Sequence, residues 1–197
     1  MSLTRTVNTL SSTPGRLTKT SGAAAWDAGA ESQAAFDVRT SPVSGIAFRP
    51  AQNGRNLMVG LEAQRPVSDE AAVDYTTLDY AIHLTSSGTV LLWKEGALVG
   101  RLSGAGYRKD DLVEVAVNRQ SRVEYRINGQ VRFTASQTVP VGPLSARLVI
   151  FDVDAGVTDV AWVDKSAWCR GVSCAAESTC VGAVCELGKC SGGCQFT

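Results

Sequence analysis

The sequence predicts an all-β fold: a two-sheet antiparallel β-sandwich of jelly-roll type over residues 1–165, then a small disulfide-rich module over residues 166–197. Three observations carry that expectation. Short apolar runs, separated by Gly, Pro, Asn, Asp and Ser, recur at roughly 8–12-residue spacing. No segment carries a convincing 3.6-residue apolar period. All six cysteines fall between Cys169 and Cys194, so the long body must be held by its own apolar core.

The runs can be taken in order. Leu17-Thr18-Lys19 is a first strand after a polar opening. Leu57 to Leu61, Leu78 to Leu84 and Thr89 to Trp93 follow, with turns around Ser87-Gly88 and Glu95-Gly96. Alternation is strict in Val113-Glu114-Val115-Ala116-Val117 and in Val123-Glu124-Tyr125-Arg126-Ile127. Each puts three apolar side chains on one face, as a half-buried antiparallel strand requires, and leaves Glu114 and Glu124 on a solvated outer face. Asn128-Gly129 then supplies the positive φ at both central residues that a type I′ hairpin turn needs. Val131 to Ala135, Ala146 to Val153 and Val157 to Val163 complete the set, and Asp69 to Tyr75 has room for one helical turn.

Charge and hydropathy exclude several function classes. Nineteen basic and nineteen acidic residues cancel, and no basic run offers the positive footprint that non-specific nucleic-acid binding needs. No apolar stretch reaches the length of a membrane-spanning helix. The first residues contain no apolar signal core, so a processed or excised exported chain is expected.

The tail, Cys169, Cys174, Cys180, Cys185, Cys190 and Cys194, has the spacing C-x4-C-x5-C-x4-C-x4-C-x3-C. Six thiols exceed one zinc site and fall short of two, and no histidine lies nearby. Three disulfides are the better reading, with all ~15 pairings open. Each would contribute roughly 2–3 kcal/mol by restricting the unfolded chain. They imply an oxidising setting, extracellular or on a cell or particle surface.

Several stretches together resemble one family. Leu17-Thr18-Lys19-Thr20, Trp26-Asp27-Ala28-Gly29-Ala30, Val59-Gly60-Leu61 and Asp79-Tyr80-Ala81-Ile82 come first in order. Val90 to Gly96, Tyr107 to Asp111, Val123 to Gly129 and Arg132-Phe133-Thr134 follow. From about residue 7 to residue 164 the chain resembles the concanavalin A-like, SPRY-like jelly rolls of bacterial and phage surface proteins. The resemblance implies binding: sugars in lectin-like members, peptides or protein surfaces in SPRY-like ones. The tail resembles small cysteine-rich repeats of exported bacterial proteins.

Catalytic chemistry finds little support. The jelly roll also hosts glycoside hydrolases, which need paired carboxylates across the scissile bond, but no E-x-D-x-E pattern occurs. Asp152-Val153-Asp154 is the nearest pair, and with Gly156 and Asp159 it makes an incomplete calcium loop that reads better as a turn. No Gly-x-Ser-x-Gly elbow is present, and Ser103-Gly104-Ala105-Gly106 has no helix after it to cradle a phosphate. No cofactor, metal or catalytic residue is expected. His83, the only histidine, alternates opposite Ile82 and so faces away from that core. Trp93 alternates opposite Leu92. Trp26 and Trp162 read as core closure, Trp168 as cover for the junction with the tail, and Tyr75 and Tyr107 as exposed loop aromatics.

A groove of Tyr75, His83, Trp93 and Tyr107 is therefore the candidate ligand site, in a non-catalytic extracellular recognition or adhesion module for a glycan or a protein surface. The alternative is a structural subunit of a phage particle, surface layer or extracellular filament, which edge strands and a polar arm would suit by self-assembly. A glycoside hydrolase comes third.

Overall fold

The computed structural model describes residues 1–10, 15–63, 74–165, 185–186 and 189–190. Ten strands come first: β1 (Leu3–Val7), β2 (Thr9–Leu10), β3 (Leu17–Lys19), β4 (Ala28–Ser32), β5 (Phe36–Asp37), β6 (Val43–Pro50), β7 (Leu57–Ala63), β8 (Tyr80–Leu84), β9 (Thr89–Lys94) and β10 (Ala97–Gly106). Then follow β11 (Val113–Val117), β12 (Arg122–Ile127), β13 (Gln130–Thr138), β14 (Pro143–Ile150) and β15 (Gly156–Asp164). The one helical element described is a 3-10 turn, Tyr75–Thr77.

These strands form two antiparallel sheets facing each other. The first runs β1-β4-β14-β7-β8-β9-β10, with β5 also beside β14; the second runs β13-β12-β11-β6-β15-β3-β2. Alternation builds the core between them. In the first sheet, Ile150, Leu57, Leu84 and Val90 stand in one cross-strand row, and Leu148, Val59, Ile82 and Leu92 in the next. All eight are buried against Ile46, Phe48, Val113, Val115, Val117, Val123 and Tyr125 of the second sheet. Burying each such aliphatic side chain contributes roughly 1.5–3 kcal/mol, so this face of the alternation holds the fold.

The hairpin expected at Asn128-Gly129 is present, with φ of 53° and 77°. Its asparagine also ties the turn to the neighbouring strand. The Asn128 side-chain oxygen accepts from Leu112 N (2.9 Å), and its amide donates to Asp111 Oδ1 (2.8 Å). Glu95-Gly96 turns the same way, with φ of 49° and 74°.

Three expectations need correction. The strand expected to reach Val153 ends at Ile150, because Asp152 turns the chain by accepting from Asn56 N (2.6 Å) and Asn56 Nδ2 (3.1 Å). Glu114 does lie on the outer face of the second sheet, opposite Arg126, but it is buried rather than solvated. Glu124 is likewise occupied, accepting from Arg126 Nη2 at 2.6 Å and Asn118 Nδ2 at 2.8 Å. Tyr107, expected in the open, is buried, for a reason given below.

Trp162 does close the core, edge-to-face on Phe36 with centroids 5.3 Å apart. Of the cysteine-rich tail, only β16 (Cys185–Glu186) and β17 (Lys189–Cys190) are described, paired so that Cys185 and Cys190 are in register. Cys169, Cys174, Cys180, Cys194 and Trp168 lie outside the described residues.

Candidate functional site

Alternation that sends Ile82 and Leu92 inward sends His83 and Trp93 to the outer face of the first sheet. Two outer rows run across its centre: Val149, Met58, His83 and Leu91, then Arg147, Gly60, Ala81 and Trp93. The second row is deliberately low at Gly60, where a Cβ would lie 2.3 Å from the Tyr80 carbonyl oxygen. Small residues at Gly60 and Ala81 let side chains from outside the sheet settle onto it.

Two such side chains arrive from loops. Trp26 stacks at 5.3 Å from Tyr75, 5.4 Å from His83 and 5.1 Å from Phe151 (centroid distances). Tyr75 in turn lies 6.1 Å from Trp93, and His83 6.2 Å from Trp93. Trp26, Tyr75 and Trp93 are half-buried and pack on a small apolar floor of Met58, Leu78, Ala81 and Val149. The result is a continuous aromatic cluster open to solvent on one side.

Each loop is anchored by a charge. The Lys19 side chain is fully buried at the end of β3, and its ammonium donates to the carbonyls of Ala23 (2.6 Å), Ala25 (2.9 Å) and Phe151 (2.9 Å) and to the Asp27 carboxylate. One cation thus organises the segment that carries Trp26 and ties it to the residue beside the cluster. On the other side, Arg147 Nη1 donates to Thr77 Oγ1 (2.6 Å), while its Nη2 lies 2.6 Å from Glu62 Oε2. That buried pair fixes the turn that carries Tyr75. Asp74 caps the turn by accepting from Thr76 N at 2.9 Å.

His83 has an unusual setting. Both imidazole nitrogens and Trp93 Nε1 are shielded from solvent and have no hydrogen-bond partner among the described residues. Burial among the rings pushes the His83 pKa down to about 4, so the imidazole is neutral at physiological pH. Among the described residues it has no carboxylate to orient it as a general base. Glu62 is buried against Arg147; burial pushes its pKa up and the guanidinium opposes that rise. Among the described residues no cluster of three His, Cys, Asp or Glu has metal-binding geometry.

Three of the four expected site residues, Tyr75, His83 and Trp93, therefore come together. Tyr107 does not. Its ring plugs one end of the core, and its hydroxyl accepts from Arg55 N (2.8 Å) and lies 2.8 Å from Arg55 O and 3.1 Å from Thr85 O. Trp26, expected in the core, takes its place in the cluster together with Phe151. The signal for Phe151 was present, since it continues the outward alternation of Val149.

The sequence matches no protein-family model and no curated protein. Solved structures do match. The SPRY domain of human HERC1 aligns with a TM-score of 0.56 at 14% identity, over 83% of this chain and 98% of that one. The TRIM65 PSpry domain gives 0.56 at 10% identity, over 80% and 87% of the two chains. The potassium-bound carbohydrate recognition domain of Emp46p gives 0.56 at 9%, over 81% and 87%. The chain thus has the concanavalin A-like jelly-roll fold shared by SPRY and lectin-type domains.

Proposed function

We propose that the protein is a non-catalytic recognition module that binds a glycan on the outer aromatic face of its first sheet. The single observation that carries this reading is the gathering of half-buried Trp26, Tyr75 and Trp93 around an imidazole whose two nitrogens have no partner among the described residues. Aromatic faces stack on the C–H side of a sugar ring, and unpaired nitrogens behind them match sugar hydroxyls. Shielded buried polar atoms without partners are rare in native proteins and call for an explanation.

The likeness in fold to a carbohydrate recognition domain supports the same class of function. The cysteine-rich tail supports an extracellular or surface setting, where three disulfides persist. The test is a glycan array probed with the full chain and with Trp93→Ala. The proposal expects binding to a restricted set of sugars that the variant loses by at least about tenfold, since one stacked ring contributes about 1.4 kcal/mol or more. Equal binding by both chains refutes it.

A further inference from the structure

The two sheets leave an opening at one lateral edge, away from the aromatic cluster. β10 ends the first sheet and β13 ends the second, and between them lies a cleft of about 230 Å³. Its walls are Val99, Phe133 and the Lys94–Gln137 pair, in which the ammonium donates across the mouth to the amide oxygen. Its floor is Tyr80 and Tyr125, both almost fully buried. Burial raises both phenol pKa values, so the hydroxyls stay protonated and available as donors.

Exposure concentrates at the same edge. Eight of the nine residues of β13 are exposed, although the strand is hydrogen-bonded to β12 along its inner side. Leu98, Val99, Val131 and Phe133, all on these two strands, are four of the five large apolar side chains most exposed in the described structure. An edge strand of nine residues spans about 30 Å and presents unpaired backbone donors and acceptors along its outer side. Charge is one-sided as well. The only charged residues of β10 and β13 are Arg101 and Arg132, with no carboxylate on either strand. Lys94 lies in the cleft itself, 3.7 Å from the exposed Glu95 at the adjoining turn.

We infer that this edge captures an extended acidic peptide of a partner protein, which adds as a strand to β13 and places one large apolar side chain in the cleft against the paired rings of Phe133 and Tyr125. The cleft is smaller than the roughly 300–1,000 Å³ of a small-molecule pocket, and suits a single side chain. Backbone pairing supplies affinity and the cleft supplies selection, as in other strand additions. The phenols of Tyr80 and Tyr125 donate to the peptide's carbonyls or carboxylates. The arginines and Lys94 favour acidic residues flanking the anchor. A second copy of this chain is the poorer occupant, because pairing β13 with itself gathers arginines with no carboxylate to offset them.

The experiment is fluorescence anisotropy of the full chain with a labelled heptapeptide, Thr-Glu-Val-Phe-Val-Asp-Thr. Its companions are a version with Lys for both acids, a version with Ala for Phe, and a backbone N-methylated version. The inference expects saturable binding below roughly 1 mM, weakened about tenfold or more by each change to the peptide. Arg132→Glu and Phe133→Ala, both at exposed positions, should weaken binding similarly while the melting temperature holds. Equal binding of the N-methylated peptide overturns strand addition, and equal binding of the lysine peptide overturns the charge match. No binding by the acidic peptide, or a concentration-dependent dimer abolished by Arg132→Glu, overturns the inference altogether. Trp93→Ala should leave peptide binding unchanged, which separates this edge from the glycan face.

Discussion

Replacing Lys19 with Met keeps the length and apolar stem of the side chain but deletes its charge. The perturbation is severe on geometric grounds. The ammonium is wholly shielded, and the Ala23, Ala25 and Phe151 carbonyls and the Asp27 carboxylate all converge on it. Removing one member of a buried ion pair typically costs about 3–5 kcal/mol, because the partner is left uncompensated. Here the Asp27 side chain is 40% exposed and Ala23 is at the surface, so both rehydrate in part. The expected loss is therefore at the lower end, about 3 kcal/mol. For a domain of this size that corresponds to a fall in melting temperature of roughly 6–12 °C. Calorimetry measures the fall. Tryptophan emission should shift to the red, because the same segment carries Trp26. Lys19→Arg should not restore stability, since a planar guanidinium does not match acceptors arranged around a point charge. A melting temperature within about 2 °C of the parent, with unchanged emission, refutes the idea that this cation organises the Trp26 loop.

Other outcomes follow from the same geometry. The His83 pKa is depressed in the folded state, so stability is full above the unfolded value of 6.5 and falls as pH drops toward about 4. The loss should be about 2 kcal/mol after discounting for residual solvent contact, and His83→Gln should abolish it in urea melts at pH 7 and pH 4.5. Tyr107→Phe should lower stability by about 1–3 kcal/mol through the hydrogen bonds of its hydroxyl, yet leave glycan binding unchanged; a binding defect would return Tyr107 to the site. Gly60→Ala should destabilise by about 1–3 kcal/mol in the same melts, since the clash is with backbone, and a neutral result would contradict the close approach of β7 and β8. Intact mass with and without reductant should differ by six hydrogens if the tail holds three disulfides, and six free thiols would contradict the surface setting.

How far the sequence reveals this molecule depends on which physical signal each element carries. β11 and β12 alternate strictly and are joined to β13 by a turn whose chemistry is specific, so their pairing was legible. β6, at the centre of the second sheet, was not. It carries Gly45 and Arg49 and ends in Pro50, and five of its residues in succession are buried, which hides the period of two. β4 is built from Ala and Gly, and β10 from a glycine-rich run, so both lack the apolar bulk that marks a strand. At the site, alternation alone placed His83 and Trp93 on the right face. Tyr75 and Tyr107 sit in similarly polar loops. Only the cap at Asp74 and the carbonyls of Arg55 and Thr85 decide that one ring turns outward and the other inward, and those partners are remote in sequence. Trp26 depends on Lys19, whose burial no local pattern announces.

The most direct test of the account is a fluorine NMR spectrum of the chain labelled with 5-fluorotryptophan, recorded while the best array sugar is titrated in. The four tryptophans, Trp26, Trp93, Trp162 and Trp168, give separate probes of the outer face, the core and the tail. Recognition at the outer aromatic face predicts that the Trp26 and Trp93 resonances move together and saturably while Trp162 stays fixed. A shift confined to Trp162 or Trp168, or saturable binding with all four unmoved, would contradict it.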